Sequence, residues 1–267
     1  MPIAEGETTP TPVELLAVAE LAARAGGGEL MAWRGRFASR LKGRHDLVTD
    51  ADLASEKAIR AVIGARFPDH GILGEEAPAA EQLRRPYCWV VDPLDGTTNY
   101  VHGFPCYGVS VAVAHEGRLL AGVVYDPLHE ECFAASAGGG AKLNGEPFAT
   151  ADVRGVEESL LAVSFPAHLV RESADLEAFL RVAPLCQAIR RTGSAALNLA
   201  YVACGRLDGH WAHEIHPWDS AAGVLLVQEG GGVATGSDGR PFELAAGHYL
   251  AACTSELHAA LVPLVRR

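Results

Sequence analysis

The sequence predicts a layered protein of mixed α+β and α/β structure, with an antiparallel-sheet N-terminal half and an alternating α/β C-terminal half. Three observations support this fold class. A long helical pattern opens the chain, apolar runs separated by turn residues fill the middle, and short strand and helix patterns alternate from about residue 159. We therefore expect two subdomains, residues 1–155 and residues 156–267, with a cleft between them.

Two helices are predicted near the N-terminus. The first spans residues 12–33, and Gly26-Gly27-Gly28 is expected to weaken its middle. The second spans residues 49–67, with Thr49 as its N-cap residue. The link between them, residues 34–45, is either a solvated loop or a mobile flap whose cations approach a metal or phosphate site. Its cations are Arg34, Arg36, Arg40, Lys42 and Arg44.

Strands dominate the next segment. An apolar run at residues 87–91 predicts a buried strand that ends in a tight turn at residues 92–95. Residues 107–115 and 119–125 predict a hairpin closed by Glu116-Gly117, and Asn144-Gly145 marks another turn. Beyond residue 159 the pattern predicts strands at 160–163, 187–190, 207–211 and 249–252, alternating with helices at 173–182, 194–204, 218–229 and from 255.

The composition is that of a globular protein. The 267 residues are 49% hydrophobic and 21% charged, which argues against disorder. A formal net charge of −11 makes general binding to nucleic acid unfavourable. No apolar run reaches the length of a membrane span, residues 1–7 lack the positive start of a signal peptide, and the six cysteines are scattered. We therefore expect a cytoplasmic protein with reduced thiols and no membrane or nucleic-acid partner.

The most informative stretch is Asp92-Pro93-Leu94-Asp95-Gly96-Thr97-Thr98-Asn99. A turn here lets Asp92, Asp95 and the carbonyl of Leu94 converge, and oxygen ligands of this kind suit a hard cation such as Mg²⁺. The backbone N–H groups of Gly96 and Thr97 could then hold a phosphate oxygen. Because Asp-Pro and Asp-Gly also form ordinary turns, the stretch indicates phosphoryl chemistry only when other acidic residues join it.

Three further acidic segments could join that turn. Gly74-Glu75-Glu76 follows a short apolar run, and Asp50 and Asp52 lie in the first turn of the second helix. Asp219 follows His216-Pro217-Trp218 at the start of another helix. Each segment also has a structural explanation, because loop acids are commonly solvated and acids in a first helical turn complement the helix dipole by ~0.3–1 kcal/mol.

Five motifs occur in order along the chain: Asp46-x-Val48-Thr49-x-x-Asp52, Gly74-Glu75-Glu76, residues 92–105, Gly193-Ser194-Ala195-Ala196-Leu197-Asn198 and His216-Pro217-Trp218-Asp219-x-Ala221-Ala222-Gly223. Together they resemble the inositol monophosphatase family of metal-dependent, lithium-sensitive phosphatases. The resemblance covers nearly the whole chain. It implies an αβαβα sandwich, a homodimer and the hydrolysis of a small-molecule phosphate ester.

The resemblance also assigns roles to individual residues. It implies two to three Mg²⁺ ions, held by Glu75, Asp92, the Leu94 carbonyl, Asp95 and Asp219. The implied catalytic residues are Thr97, Asp52 and Glu75, of which Thr97 and Asp52 orient the attacking water. The implied substrate contacts are Gly96, Thr97, Ser194, Ala195 and Asp219.

The substrate is less well defined than the metal site. An inositol-1-phosphate-like ester is the first expectation, but Ala212 stands where inositol-cleaving relatives carry a Glu, and Glu214 lies two residues away. Fructose-1,6-bisphosphate, histidinol phosphate, a nucleotide 3′-phosphate or NADP are alternatives. A regulatory or binding protein on the same fold is an alternative of another class, although the intact acidic set favours an enzyme.

Overall fold

The computed structural model describes residues 9–43, 46–76 and 80–266. The helices of these ranges are α1 (Pro12–Trp33), α2 (Asp50–Arg66), α3 (Thr97–His102), α4 (Ala174–Val182), α5 (Ala195–Ala203), α6 (Pro217–Glu229) and α7 (Ser255–Val265). The strands are β1 (Ser39–Gly43), β2 (Asp46–Thr49), β3 (Gly71–Gly74), β4 (Tyr87–Asp95), β5 (Gly108–His115), β6 (Arg118–Asp126), β7 (Glu131–Ser136), β8 (Gly140–Leu143), β9 (Glu146–Pro147), β10 (Leu160–Val163), β11 (Ala188–Arg190), β12 (Gly209–His213), β13 (Val233–Thr235) and β14 (His248–Ala252).

Two large sheets organise these elements. The first has seven strands in the order β3-β4-β5-β6-β7-β8-β9 and is antiparallel except for the β3–β4 pair. The second has five strands in the order β11-β10-β12-β14-β13, with β10 parallel to both of its neighbours. The predicted antiparallel half and α/β half are therefore both confirmed.

Three apolar cores separate five layers. The first lies between α1, α2 and the seven-stranded sheet, and the second lies around α5 and α6, between the two sheets. The third lies between the five-stranded sheet and the outer helices α4 and α7. This order of helix, sheet, helix, sheet and helix confirms the αβαβα sandwich. In the described part of the chain, no helix is both long and apolar enough to cross a membrane.

Helix α1 runs unbroken through its three glycines. A Cβ atom on Gly26 would lie 2.7 Å from the Ser55 hydroxyl, and one on Gly27 would lie 2.6 Å from the ring of Tyr125. Glycine at these two positions allows α1 to approach α2 and β6 closely. Gly26 and Gly27 are therefore packing residues, a role that only the neighbouring elements reveal, whereas a Cβ atom on Gly28 would meet nothing within 4 Å.

Three local expectations differ from the structure. The link after α1 is partly strand, because β1 pairs antiparallel with β2. Strand β4 continues to Asp95 where a turn was expected, since pairing with β5 resumes there after an irregularity. The strand expected at 207–211 lies two residues further on. Arg44 and residues 1–7, to which the signal-peptide argument refers, lie outside the described residues.

Candidate metal centre and cleft

Three carboxylates meet at the junction of the two sheets. One oxygen each from Asp92, Asp95 and Asp219 lies within 4.8 Å of the others. Asp92 and Asp95 share a face of β4 because four residues of β4, from Asp92 to Asp95, lie opposite only three residues of β5, from Ser110 to Gly108. Without that irregularity, residues three apart on a strand point to opposite faces.

Hydrogen bonds hold the irregular end of β4 in place. The Leu94 N–H donates to Asp92 Oδ1 at 3.0 Å, and the Ser55 hydroxyl on α2 donates to the Pro93 carbonyl at 2.8 Å. The Leu94 carbonyl accepts a hydrogen bond from Thr97 Oγ1 at 3.0 Å. The carbonyl oxygens of Pro93 and Leu94 are therefore held by side chains of two helices, α2 and α3.

Asp219 reaches the cluster from the first turn of α6. Pro217 is the first residue of that helix, as predicted, and the His216 N–H donates to Asp219 Oδ2 at 2.8 Å. The Ser110 hydroxyl on β5 donates to the Trp218 carbonyl at 3.0 Å, which ties the start of α6 to the seven-stranded sheet. Asp219 thus caps its helix and belongs to the carboxylate cluster at the same time.

Asp95 is bound by the first turn of α5. Its carboxylate accepts hydrogen bonds from the Ser194 hydroxyl, from the Ala195 N–H at 3.2 Å and from the Ala196 N–H at 2.8 Å. Ser194 and Ala195 thus contact a member of the carboxylate cluster, and their expected contact with the substrate stays a prediction. The N-terminus of helix α5, which is the positive end of the helix dipole, faces the negative charge of Asp95.

The negative charges of the clustered carboxylates repel one another. Burial, followed by the charges of Glu75, Asp95 and Asp219, raises the pKa of Asp92 well above its usual range. Burial and the charge of Asp95 raise the pKa of Asp219 in the same way. Burial also raises the pKa of Asp95 to about 6, although its bonds to α5 act in the other direction. A bound cation would relieve this repulsion, and the all-oxygen donor set fits Mg²⁺.

Glu75 and Asp52 flank the cluster. The Glu75 N–H donates to the Val91 carbonyl at 3.2 Å, and the Glu75 carboxyl shares a hydrogen bond with Asp92. Burial raises the pKa of Asp52 to about 6. The next residue, Glu76, donates its backbone N–H to the buried Glu56 carboxylate at 3.0 Å. That bond fixes the chain immediately after Glu75.

Thr97 links Asp52 to the end of β4. Thr97 Oγ1 lies 3.3 Å from Asp52 Oδ1, while Asp52 Oδ2 accepts hydrogen bonds from Thr49 N at 2.8 Å and Thr49 Oγ1 at 2.5 Å. Gly96, just before Thr97, has a φ of 94°, and a Cβ atom there would lie 3.0 Å from the Cys106 carbonyl. Position 96 therefore requires glycine for both conformation and space.

A cavity of about 290 Å³ opens beside the cluster. Its lining includes Glu75, Asp95, Ser164, Phe165, Pro166, Ala167, Arg191, Gly193, Ala195, Glu214, Ile215, His216, Trp218 and Asp219. Ala212, unlike Glu214, does not line the cavity and is fully buried in the core.

The residues that sequence reasoning missed are those of the loop after β10. The signal for them was their position at the carboxyl end of a strand with parallel neighbours, where α/β sheets form sites.

Comparison with known proteins agrees with this architecture. The model of the inositol monophosphatase family matches residues 12–267. The chain belongs to the inositol monophosphatase family. The family supports a phosphoric monoester hydrolase that acts on a small-molecule phosphate ester, and the acidic cluster provides a place where a metal ion could bind.

The relatives of this family member carry different names. An inositol-1-monophosphatase from Synechocystis is 41% identical over 88% of this chain and 83% of its own length. A protein named Nus factor SuhB, from Pasteurella multocida, is 43% identical over 79% of this chain and 80% of its own. Among solved structures, the suhB protein of Bartonella henselae superposes with a TM-score of 0.88 at 34% identity, covering 95% of this chain and 98% of that one.

Proposed function

We propose that this protein is a Mg²⁺-dependent phosphomonoesterase whose substrate is a small phosphorylated polyol of the inositol-1-phosphate type. The observation that supports this most directly is the meeting of Asp92, Asp95 and Asp219 within 4.8 Å beside a cavity of about 290 Å³. That cavity is lined by a cationic side chain, Arg191, by an acidic one, Glu214, and by the imidazole of His216. The mixed lining suits a substrate that carries both an anionic phosphate and neutral hydroxyl groups.

In this proposal, two to three Mg²⁺ ions are held by the carboxylates of Glu75, Asp92, Asp95 and Asp219 and by the Leu94 carbonyl. Bound Mg²⁺ supplies positive charge that offsets the phosphate and its leaving oxygen, and it makes a nearby water more acidic. The raised pKa values of Asp92 and Asp219 support the assignment, since burial and the neighbouring negative charges, which raise them, are both offset by a bound cation.

The chain's own groups then position the reactants. Thr97 Oγ1, placed between Asp52 and the Leu94 carbonyl, orients the attacking water. Asp52 accepts the proton through Thr97 or directly, and its pKa near 6 lies close enough to neutrality for this role. The backbone N–H groups of Gly96 and Thr97 hold a phosphate oxygen, at a position that only glycine can provide.

The candidate substrates are all small-molecule phosphate monoesters, and residues of the cavity bear on which of them fits. Ala212 lies inside the core, so no carboxylate reaches the cavity from that position, whereas Glu214 lines it. Glu214 has a φ of 54°, a strained conformation for a residue other than glycine. We propose that Glu214 contacts a substrate hydroxyl. Fructose-1,6-bisphosphate, histidinol phosphate, a nucleotide 3′-phosphate and NADP are the competing substrates.

The decisive experiment is a panel of these esters, assayed for released phosphate with Mg²⁺ and with excess chelator. Activity is expected only with Mg²⁺, and Li⁺ is expected to inhibit it. Asp95→Asn should lower kcat and raise the Mg²⁺ concentration needed, while Asp238→Asn, which changes an exposed acid, serves as the matched control. Full activity in chelator, or an unchanged Asp95→Asn enzyme, would refute the metal assignment.

A second candidate function is a regulatory or binding role on the same fold. The observation that favours it is the name Nus factor carried by relatives such as the 43% identical protein from Pasteurella multocida. Failure of the wild-type protein to hydrolyse any ester of the panel would select this candidate.

Four further expectations remain predictions: a homodimer, a cytoplasmic location, the lack of a nucleic-acid partner and the division into residues 1–155 and 156–267. Sedimentation at micromolar concentration tests the first of these.

A further inference from the structure

Ser164 places a hydroxyl group in the wall of the cavity. It follows the last residue of β10, and its N–H donates to the Trp211 carbonyl at 3.2 Å, which anchors the loop at its start. Among the described residues of the lining, Ser164 carries the one hydroxyl group. Its Oγ atom lies 3.0 Å from Nε2 of His210, a residue of β12 behind the cavity wall.

His210 is fully buried and sits between two hydroxyl groups. Nδ1 lies 3.0 Å from the Tyr249 hydroxyl, and Nε2 lies 3.0 Å from Ser164 Oγ. Nε2 also lies 3.5 Å from Asn198 Nδ2, a donor group, and at that distance the contact is too long to decide which ring nitrogen carries the proton. Burial lowers the pKa of His210 to about 3, so the imidazole is neutral at ordinary pH. A neutral imidazole has one N–H donor and one acceptor nitrogen.

The surroundings of Tyr249 indicate which nitrogen is the donor. The Tyr249 side chain is fully buried, and burial together with the charges of Asp219, Asp95 and Asp175 raises its pKa, so the phenol keeps its proton. The Tyr249 hydroxyl lies 3.0 Å from Nδ1 and 3.5 Å from Nε2 of His210, so the phenol donates its hydrogen to the nearer nitrogen, Nδ1. His210 Nε2 then carries the proton and donates to Ser164 Oγ.

This direction leaves the Ser164 proton available to the cavity. Ser164 accepts the hydrogen bond from His210 with an oxygen lone pair. The series of hydrogen bonds from Tyr249 through His210 to Ser164 therefore does not use the Ser164 O–H as a donor. The phosphate is expected beside Asp95 and Asp219, near the amides of Gly96 and Thr97. The alcohol part of the ester would therefore extend along the wall formed by Ser164, Phe165 and Pro166.

We propose that the Ser164 hydroxyl donates a hydrogen bond to a hydroxyl oxygen of the substrate's alcohol part, and that the neutral imidazole of His210 positions it. Ser164 is then a specificity-determining residue and His210 is a positioning residue. This inference rests on the proposed phosphatase function and extends it. It predicts a preference for polyol phosphates over esters whose alcohol part carries no hydroxyl group.

The first test compares two substrates. Ser164→Ala is expected to raise KM for inositol-1-phosphate about 5- to 10-fold, the scale of one neutral hydrogen bond, with little change in kcat. Neither constant should change for p-nitrophenyl phosphate, whose alcohol part offers no hydroxyl. Ser173→Ala is the matched control, because the buried Ser173 hydroxyl has no hydrogen-bond partner among the described residues. An unchanged KM for inositol-1-phosphate in Ser164→Ala, or an equal rise for both substrates, would overturn the inference.

The second test addresses His210. His210→Leu should reproduce the KM rise of Ser164→Ala, and the two changes together should add little, because they remove the same interaction. His210→Gln keeps an N–H near the position of Nε2 and should restore most of the lost affinity. Fully additive effects, or equal defects in the Leu and Gln variants, would contradict a positioning role.

A measurement on the wild-type protein remains decisive if a His210 variant fails to fold. Nitrogen-15 NMR of the imidazole is expected to show the Nε2–H tautomer, with no titration between about pH 5 and 9. The Nδ1–H tautomer would overturn the proposed direction of the bonds. If the wild-type protein hydrolyses neither these two esters nor any other ester of the panel, the phosphatase proposal fails, and the NMR result still decides the direction of the hydrogen bonds independently.

Discussion

The Ser194 hydroxyl donates a hydrogen bond to the Asp95 carboxylate, and these residues come from different halves of the molecule. Asp95 ends a strand of the seven-stranded sheet, whereas Ser194 is the N-cap residue of α5. Asn99 adds a second link nearby, because its amide donates to the Cys106 carbonyl at 2.6 Å and to the Thr192 carbonyl at 2.8 Å. The geometry of the carboxylate cluster therefore depends on how the two halves are joined.

Ser194→Ala should weaken metal binding without removing a carboxylate. The lost hydrogen bond to a charged group is worth ~1.5–3 kcal/mol, and its loss would raise the pKa of Asp95 further. We expect the Mg²⁺ concentration for half-maximal binding, measured by calorimetry at neutral pH, to rise about tenfold or more. Ser255→Ala, at an exposed helix start, should leave it unchanged. Equal Mg²⁺ affinity in both variants would contradict this role.

Thr97→Ala should affect turnover more than binding. The variant loses the hydroxyl that lies between Asp52 and the Leu94 carbonyl but keeps the backbone N–H. We expect kcat to fall by ~10²-fold or more with little change in KM, as for the loss of one positioned catalytic group. Thr98→Ala, an exposed neighbour, is the control. A near wild-type kcat at saturating Mg²⁺ would show that the water is oriented by other residues.

The metal-free protein should lose stability as the pH rises from about 4 through 6. In the unfolded chain an Asp carboxyl titrates near 3.9, whereas burial raises the folded-state pKa of Asp52 and Asp95 to about 6. Between these values the folded state binds more protons, so the free energy of unfolding falls as the pH increases.

Thermal unfolding in chelator at a series of pH values measures this effect. Mg²⁺ should raise the melting temperature more at pH 7.5 than at pH 5, because protonated carboxylates bind cations poorly. Asp95→Asn should show a smaller dependence on pH than the wild-type protein. A melting temperature that rises from pH 5 to pH 7 in chelator would contradict the raised pKa values.

Adjacent glycines in α1 should respond oppositely to alanine. A Cβ atom on Gly27 would lie 2.6 Å from the Tyr125 ring, whereas one on Gly28 would meet nothing within 4 Å. Gly27→Ala should therefore lower the free energy of unfolding by ~1–3 kcal/mol, as overpacking does. Gly28→Ala should raise it by ~0.5–1 kcal/mol, because alanine favours the helix. Denaturant unfolding measures both values, and equal effects would contradict the close packing of α1.

The sequence by itself determined the elements whose signals are local. Helix α1 was predicted at its observed bounds, as was β10, and Pro217 was predicted as the first residue of α6. The turn at Glu116-Gly117 has the positive φ angles, 50° and 80°, that its hairpin requires. Capping, periodicity and turn chemistry depend on neighbours along the chain, so they can be read without knowing what packs against them.

The tertiary structure alone decided how the site is assembled. Asp92 and Asp95 share a face only because β4 is irregular against β5, and periodicity cannot reveal the register between two strands. The hydrogen bond between Ser164 and His210 likewise joins residues that lie 46 positions apart. The motifs indicated which carboxylates could converge, but their spacing, burial and shared repulsion arise only when the two sheets pack around α5 and α6.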